Sequence, residues 1–201
     1  MFNEHCSLVK LQVLVQIAGM KIGRDQITEA ALALMQEHGL DGLGMRALAE
    51  RLGVRASALY WHVPSKGGLY ALMTGHFYGT AYAQASTAPG PQEWLERLGA
   101  TFRESLLAYR DSARLCAIAP PAVSDTPEAK EQMTLDLTRF GLTQEQALNA
   151  VASVFALTLG WVVYEQSETM HDHLVGMLDF DTAFSAGLQA IVGGLVAAQT
   201  A

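Results

Sequence analysis

From residue 24 onward the apolar positions recur with a helical period, and no stretch alternates as a half-buried strand would. Between 24 and 38, Ile27, Ala30, Ala31, Leu34 and Met35 fall at i, i+3, i+4, i+7 and i+8, one face of an amphipathic helix. Gly23 can cap its start, and Gly39 stands where a helix commonly ends in a left-handed residue. A second helix, 45–52, turns Met45, Leu48, Ala49 and Leu52 inward and stops at Gly53. A third, 56–62, ends before Pro64, because the residue preceding a proline resists the helical region. Longer helices are predicted over 68–84, 92–109, 111–118, 126–140, 143–166 and 181–198. Pro127 suits a first helical turn, and Thr143 with Gln146 has the form of a capping box. The fold is therefore all-α.

Two short helices joined by a glycine-containing turn, 45–52 then 56–62, form the pattern of a helix-turn-helix. On the second helix Leu59 and Val63 are i, i+4 partners and take the core face. Tyr60, Trp61 and His62 then fan over roughly 200°, so at least two of the rings must project outward. By composition such a run is more often core or interface. On the second helix of this motif it occupies the position that reads the major groove. Amphipathic rings there suit phosphates, thymine methyls and base edges.

The strings Ala30-Ala31-Leu32-Ala33-Leu34, Gly39-Leu40-Asp41-Gly42-Leu43, Arg46-Ala47-Leu48-Ala49, Leu52-Gly53-Val54 and Leu59-Tyr60-Trp61-His62-Val63 are similar to those of the tetracycline-repressor family's DNA-binding domain. The body extends the resemblance at Tyr109-Arg110-Asp111, Gly141-Leu142-Thr143 and Thr158-Leu159-Gly160. The resemblance implies a helix-turn-helix domain at 20–66 and a ligand-binding and dimerisation domain at 67–201. It implies DNA contacts from Arg46, from Arg55, Ala56 and Ser57 at the start of the recognition helix, from Tyr60, Trp61 and His62, and from Lys66 as a phosphate clamp. Two departures stand out. Gly44 replaces the usual Thr or Ser cap of the second helix, at a cost of a few tenths of a kcal/mol. Ala56 offers a base only apolar contact.

Charge refines this picture. The chain carries a net −7, which by itself argues against nucleic acid. Residues 20–66 hold six Lys/Arg against five Asp/Glu, whereas 67–201 hold six against fourteen. DNA repels the body and tolerates only the N-terminal unit. Only 16 % of residues are charged, below the roughly 25 % of soluble domains. The nearly all-apolar helices 143–166 and 181–198 explain that by pairing with a second copy as a four-helix interface. Two cysteines, Cys6 and Cys116, are too few for a disulfide framework and fit a reducing cytoplasm. Residues 1–19 lack the basic start of a secretory signal, and Ala18-Gly19 is a poor version of its cleavage site. They read as an extra helix or as an extension upstream of Met20.

The family's regulatory domain implies a small-molecule pocket that controls DNA affinity. At the positions of its magnesium-binding histidine and glutamate this chain has Cys116 and Tyr164, which are poor ligands for a hard cation. The expected pocket is instead largely apolar, drawn from Tyr82, Leu98, Phe102, Cys116, Met133, Leu137, Leu157 and Trp161, with no metal and no cofactor. His171-Asp172-His173 looks like a metal cluster, but i and i+2 do not face each other on a helix, and a solvated loop is the expectation there. No nucleophile–base–acid set or phosphate loop is present, and no membrane partner is implied. The reading is a homodimeric repressor that grips a palindromic DNA operator and is released by an effector. Its alternatives are an activator or partner-controlled regulator with the same head, and a helical carrier or enzyme that binds no DNA.

Overall fold

The structure, a computed structural model, describes residues 22–121 and 127–197; the expectations for 1–19 lie outside them. Ten helices and no strand are found among the described residues. The first, α1 (Arg24–Gly42), starts at Gly23 and is broken at Gly39 (φ 72°), after which one more turn carries the chain to Gly42. Only glycine fits Gly39 well: its φ is left-handed, and an added Cβ would lie 3.0 Å from Asp111 Oδ2. Then follow α2 (Met45–Arg51) and α3 (Ala56–His62), joined through Gly53 (φ 66°). Gly44 caps α2 without a side-chain hydrogen bond. Ile27, Ala31, Met35, Leu48 and Leu59 interlock as the fully buried centre of this head.

Ser65 Oγ accepts the Gly68 N–H at 3.0 Å and starts α4 (Lys66–Ala85) two residues earlier than the apolar pattern predicts. Leu69, Met73, Phe77, Ala81 and Ala85 recur every four residues along it, all fully buried. This helix packs on α1 of the head and on α5 (Pro91–Leu107) of the body. The body continues with α6 (Ser112–Ile118), α7 (Pro127–Arg139), α8 (Gln144–Gln166), α9 (Glu168–Leu174) and α10 (Phe180–Ala197). Its centre is α5, which contacts α4, α6, α8 and α10. Gly99 lets it come close to α10 and α8, since a Cβ there would meet Leu188 Cδ1 at 2.8 Å and Val154 Cγ1 at 3.0 Å. Thr143 and Gln146 form the predicted capping box at the start of α8.

One finding differs from expectation, and a second accords with the pairing of two copies expected from the sequence. His171-Asp172-His173 lies in the short helix α9, not a loop. Ser167 caps it, and the His171 ring stacks on Phe180 (5.2 Å, 10°), a tertiary contact that a seven-residue segment does not announce. Secondly, α8 and α10 each leave one side uncovered in the single chain. Ala152, Ala156, Gly160, Val163 and Tyr164 are exposed on α8, and Ala186, Gln189, Ala190 and Gly194 on α10.

The corner between α5 and α6 is tied from α8. Gln166 Nε2 donates to the Tyr109 carbonyl (2.8 Å), Ser112 Oγ (2.9 Å) and the Leu106 carbonyl (3.2 Å), and its Oε1 accepts the Ala113 N–H (3.2 Å). One amide thus reaches two helix ends, taking up the Tyr109 carbonyl after α5 and the Ala113 N–H in the first turn of α6. Replacing Gln166 by Leu, of similar volume, takes this partner from the Tyr109 carbonyl and the Ala113 N–H, at about 1–3 kcal/mol. The expected outcome is a fall in the thermal midpoint of roughly 2–12 °C, read by circular dichroism, with little change in helix content at 20 °C.

Candidate DNA-reading head and effector cavity

On α3 the core takes Leu59 and Val63, and solvent takes the rings beside them. Trp61 is 80 % exposed and Tyr60 47 %, while His62 is half-buried with its ring edge-on to Trp61 at 4.9 Å. Leaving a tryptophan this exposed forfeits a large apolar burial, so folding of the single chain does not explain it. Arg46, Arg55, Ser57 and Lys66 are exposed around these rings, and Ala56 is partly buried. Arg51 is held by Glu37, whereas Arg46, Arg55 and Lys66 form no ion pair among the described residues. Lys66 Nζ lies 5.4 Å from the Tyr70 ring centroid, in the first turn of α4. Among the described residues the head therefore presents cations outside any close ion pair together with exposed amphipathic rings.

The head is fastened to the body at residues that sequence reasoning did not single out as functional. Asp111 Oδ2 accepts the Leu40 N–H at 2.9 Å, Gln36 Oε1 accepts the Arg110 N–H at 2.8 Å, and Arg114 makes a bidentate pair with Asp41, both contacts 2.8 Å. Asp111 itself is left-handed (φ 59°), an uncommon conformation for a residue with a Cβ. Its string Tyr109-Arg110-Asp111 was visible in the sequence, but only its fold partner on α1 gives it a task.

A cavity of about 540 Å³ opens between α4, α7 and α8. It is lined by Gly75, Tyr78, Gly79 and Tyr82 of α4, by Pro121 and Met133, and by Leu148, Val151, Ala152 and Phe155 of α8. Of the eight residues predicted for the pocket, Tyr82 and Met133 line it. Leu98, Phe102 and Leu137 are fully buried in the core beneath. Leu157 and Trp161 take another face of α8, with Trp161 packed edge-on to Phe180 at 6.3 Å. Apolar periodicity marks every inward face of such a helix alike, so it did not separate the cavity side from the side toward α10. The signal that could have found the wall is the pair Gly75 and Gly79, one turn apart within a helical run.

Cys116 is buried, and burial pushes its thiol up to about 12. Tyr164 is exposed, and Glu165 is spent on Arg103, with contacts of 2.8 and 2.6 Å. No group of three or more His, Cys, Asp or Glu placed to hold a metal occurs among the described residues.

A family model described as "Bacterial regulatory proteins, tetR family" matches residues 27–73, and one described as "Tetracyclin repressor-like, C-terminal domain" matches 85–175. The class C tetracycline repressor protein of Escherichia coli is 31 % identical over 87 % of this chain and 91 % of its own length. The chain belongs to the tetR family. Among solved structures it is similar to a TetR variant from Acinetobacter baumannii AYE in complex with minocycline (TM-score 0.73, 28 % identity, covering 90 % of this chain and 100 % of that one). It is also similar to a class A TetR in complex with 5a,6-anhydrotetracycline and magnesium (TM-score 0.66, 32 % identity, 85 % and 95 % covered). This tetR-family chain is a ligand-responsive DNA-binding repressor and not an enzyme. The magnesium of that class A complex finds no matching donor set here: a neutral buried thiol, an exposed phenol and a carboxylate already paired with arginine do not suit a hard cation.

Asp111→Ala removes the acceptor of the Leu40 N–H at a cost of about 1–3 kcal/mol. Asp111→Asn keeps an oxygen there and is expected to lower the thermal midpoint less. In a Cys6→Ser background, raising the pH from 7 to 9 should accelerate disulfide-reagent labelling of Cys116 in the urea-unfolded chain, whose thiol titrates near 8.5. The folded chain, with its thiol at about 12, should stay almost unlabelled.

Proposed function

We propose that two copies pair through the uncovered sides of α8 and α10 and set their α3 helices in successive major grooves of a palindromic operator. Half-sites would lie about 34–36 Å apart. Tyr60, Trp61 and His62 meet phosphates and base edges, Arg55, Ala56 and Ser57 open the reading helix, and Arg46 and Lys66 clamp the backbone, Lys66 at the N-terminus of α4. The observation that carries this reading is the exposure of Tyr60 and Trp61 beside a fully buried Leu59. The small and apolar residues left bare on α8 and α10 support the pairing.

The reading assigns residues 20–66 to the DNA-binding unit and 67–201 to the effector and dimer unit, in the cytoplasm. A largely apolar effector enters the cavity of α4, α7 and α8 and favours a conformation in which the heads no longer match the grooves. Its effect on operator affinity equals its preference between the two conformations and no more.

A gel shift with the chain's own upstream DNA tests the head. Wild type should give a saturable complex that weakens steeply with salt, while Tyr60→Ala and Lys66→Glu should lose it; failure of wild type on that DNA and in a selection from random DNA would reject the reading. For the pairing, Val163→Arg together with Ala190→Arg should sediment as a monomer and lose operator binding. A dimer that survives both substitutions places the interface elsewhere.

A further inference from the structure

The effector cavity has a shape and a chemistry of its own. Gly75 and Gly79 stand one turn apart on α4 and both line it. A Cβ built on either would have no described atom within 4 Å. Packing therefore does not call for glycine at these positions, although glycine inside a helix carries a conformational penalty relative to alanine. What the two glycines provide is a strip of bare backbone, flat and without side chains, along one wall.

Rings supply much of the rest. Tyr78 and Phe155 meet edge-on at 4.7 Å, and Tyr82 and Phe155 at 5.9 Å, an arrangement that accepts a further ring. No described lining residue carries a charge, and burial holds both phenols neutral well above their ordinary range. An ion entering here would shed its hydration with no countercharge among the described lining residues to replace it. Tyr82 Oη is buried and has no hydrogen-bond partner among the described residues.

We propose that this cavity selects an uncharged, ring-bearing ligand, bound without a metal ion, with its ring face laid on the Gly75–Gly79 strip and one hydrogen-bonding group directed to Tyr82. The proposal rests on the cavity being the effector site and names the class of effector. It makes Gly75 and Gly79 specificity-determining residues, because any side chain there fills the space a ring plane needs.

Two fluorescent probes that share one ring system test it on the full-length protein: neutral N-phenyl-1-naphthylamine and anionic 8-anilino-1-naphthalenesulfonate. The neutral probe should bind at one site per chain and at least tenfold more tightly, with affinity unchanged by magnesium or by EDTA. Gly79→Leu should weaken it at least tenfold in a protein that keeps the wild-type helix content, and Tyr82→Phe should weaken it by a smaller factor. Equal affinity for the anion, a requirement for magnesium, or undiminished binding by a Gly79→Leu protein that keeps the wild-type helix content would each overturn the proposal. If Gly79→Leu does not fold, the comparison of the two probes and the magnesium titration on wild type still decide. Lys66→Glu separates the two readings, since it should abolish operator binding and leave probe affinity unchanged. An operator complex that survives saturation with the neutral probe would count against the cavity as effector site, whereas weak binding of that probe would count against the ligand class.

Discussion

Among the described residues, the head meets the body along α4 and through hydrogen bonds from the corner between α5 and α6 and the first turn of α6. Gln166, at the end of α8, holds that corner by hydrogen bonds to backbone on both sides of it. From the same corner Asp111 reaches across to the Leu40 N–H on α1. A helix that lines the cavity is thus connected to the head by two side chains and one turn of backbone. Both contacts are directional hydrogen bonds with one good geometry, so a displacement of α8 must either carry the head with it or break them. The Arg114–Asp41 pair beside them is exposed and contributes orientation more than strength.

The second connection is α4 itself. Its 20 residues make a rod of about 30 Å, with Lys66 at the head end and Gly75, Gly79 and Tyr82 on the cavity. The Leu69–Ala85 stripe binds one side of this rod to the core, so it responds as a unit. In the proposed reading, a ligand on the glycine strip would push on the helix that begins at Lys66. With α4 and the corner between α5 and α6, the head has two points of support.

The exposure of Tyr60 and Trp61, on which the proposed DNA-reading surface rests, was legible in the sequence because it depends on local spacing. Leu59 and Val63 define the buried face of α3, and the 100° step then forces Tyr60 and Trp61 outward whatever the remainder of the chain does. The cavity was not legible in the same way. Phe102, Leu137 and Tyr82 have equally apolar surroundings in the sequence, yet the first two fill the core and the third borders open space. Which side chains line a void depends on where neighbouring helices fail to meet, and no single helix records that. Glycines without a packing role, Gly75 and Gly79, were the local trace it left.

The sequence alone determined the all-helical class, most helix boundaries, the orientation of α3 and the acidic charge of the body. Each follows from periodicity, capping or summed charge, properties of neighbouring residues. The tertiary structure decided the short helix α9, the bond from Asp111 to Leu40, the fourfold use of Gln166 and the position of the cavity. These join residues as far apart as 40 and 111 or 109 and 166, and a contact across that distance is set by how preformed helices pack, which local pattern does not encode.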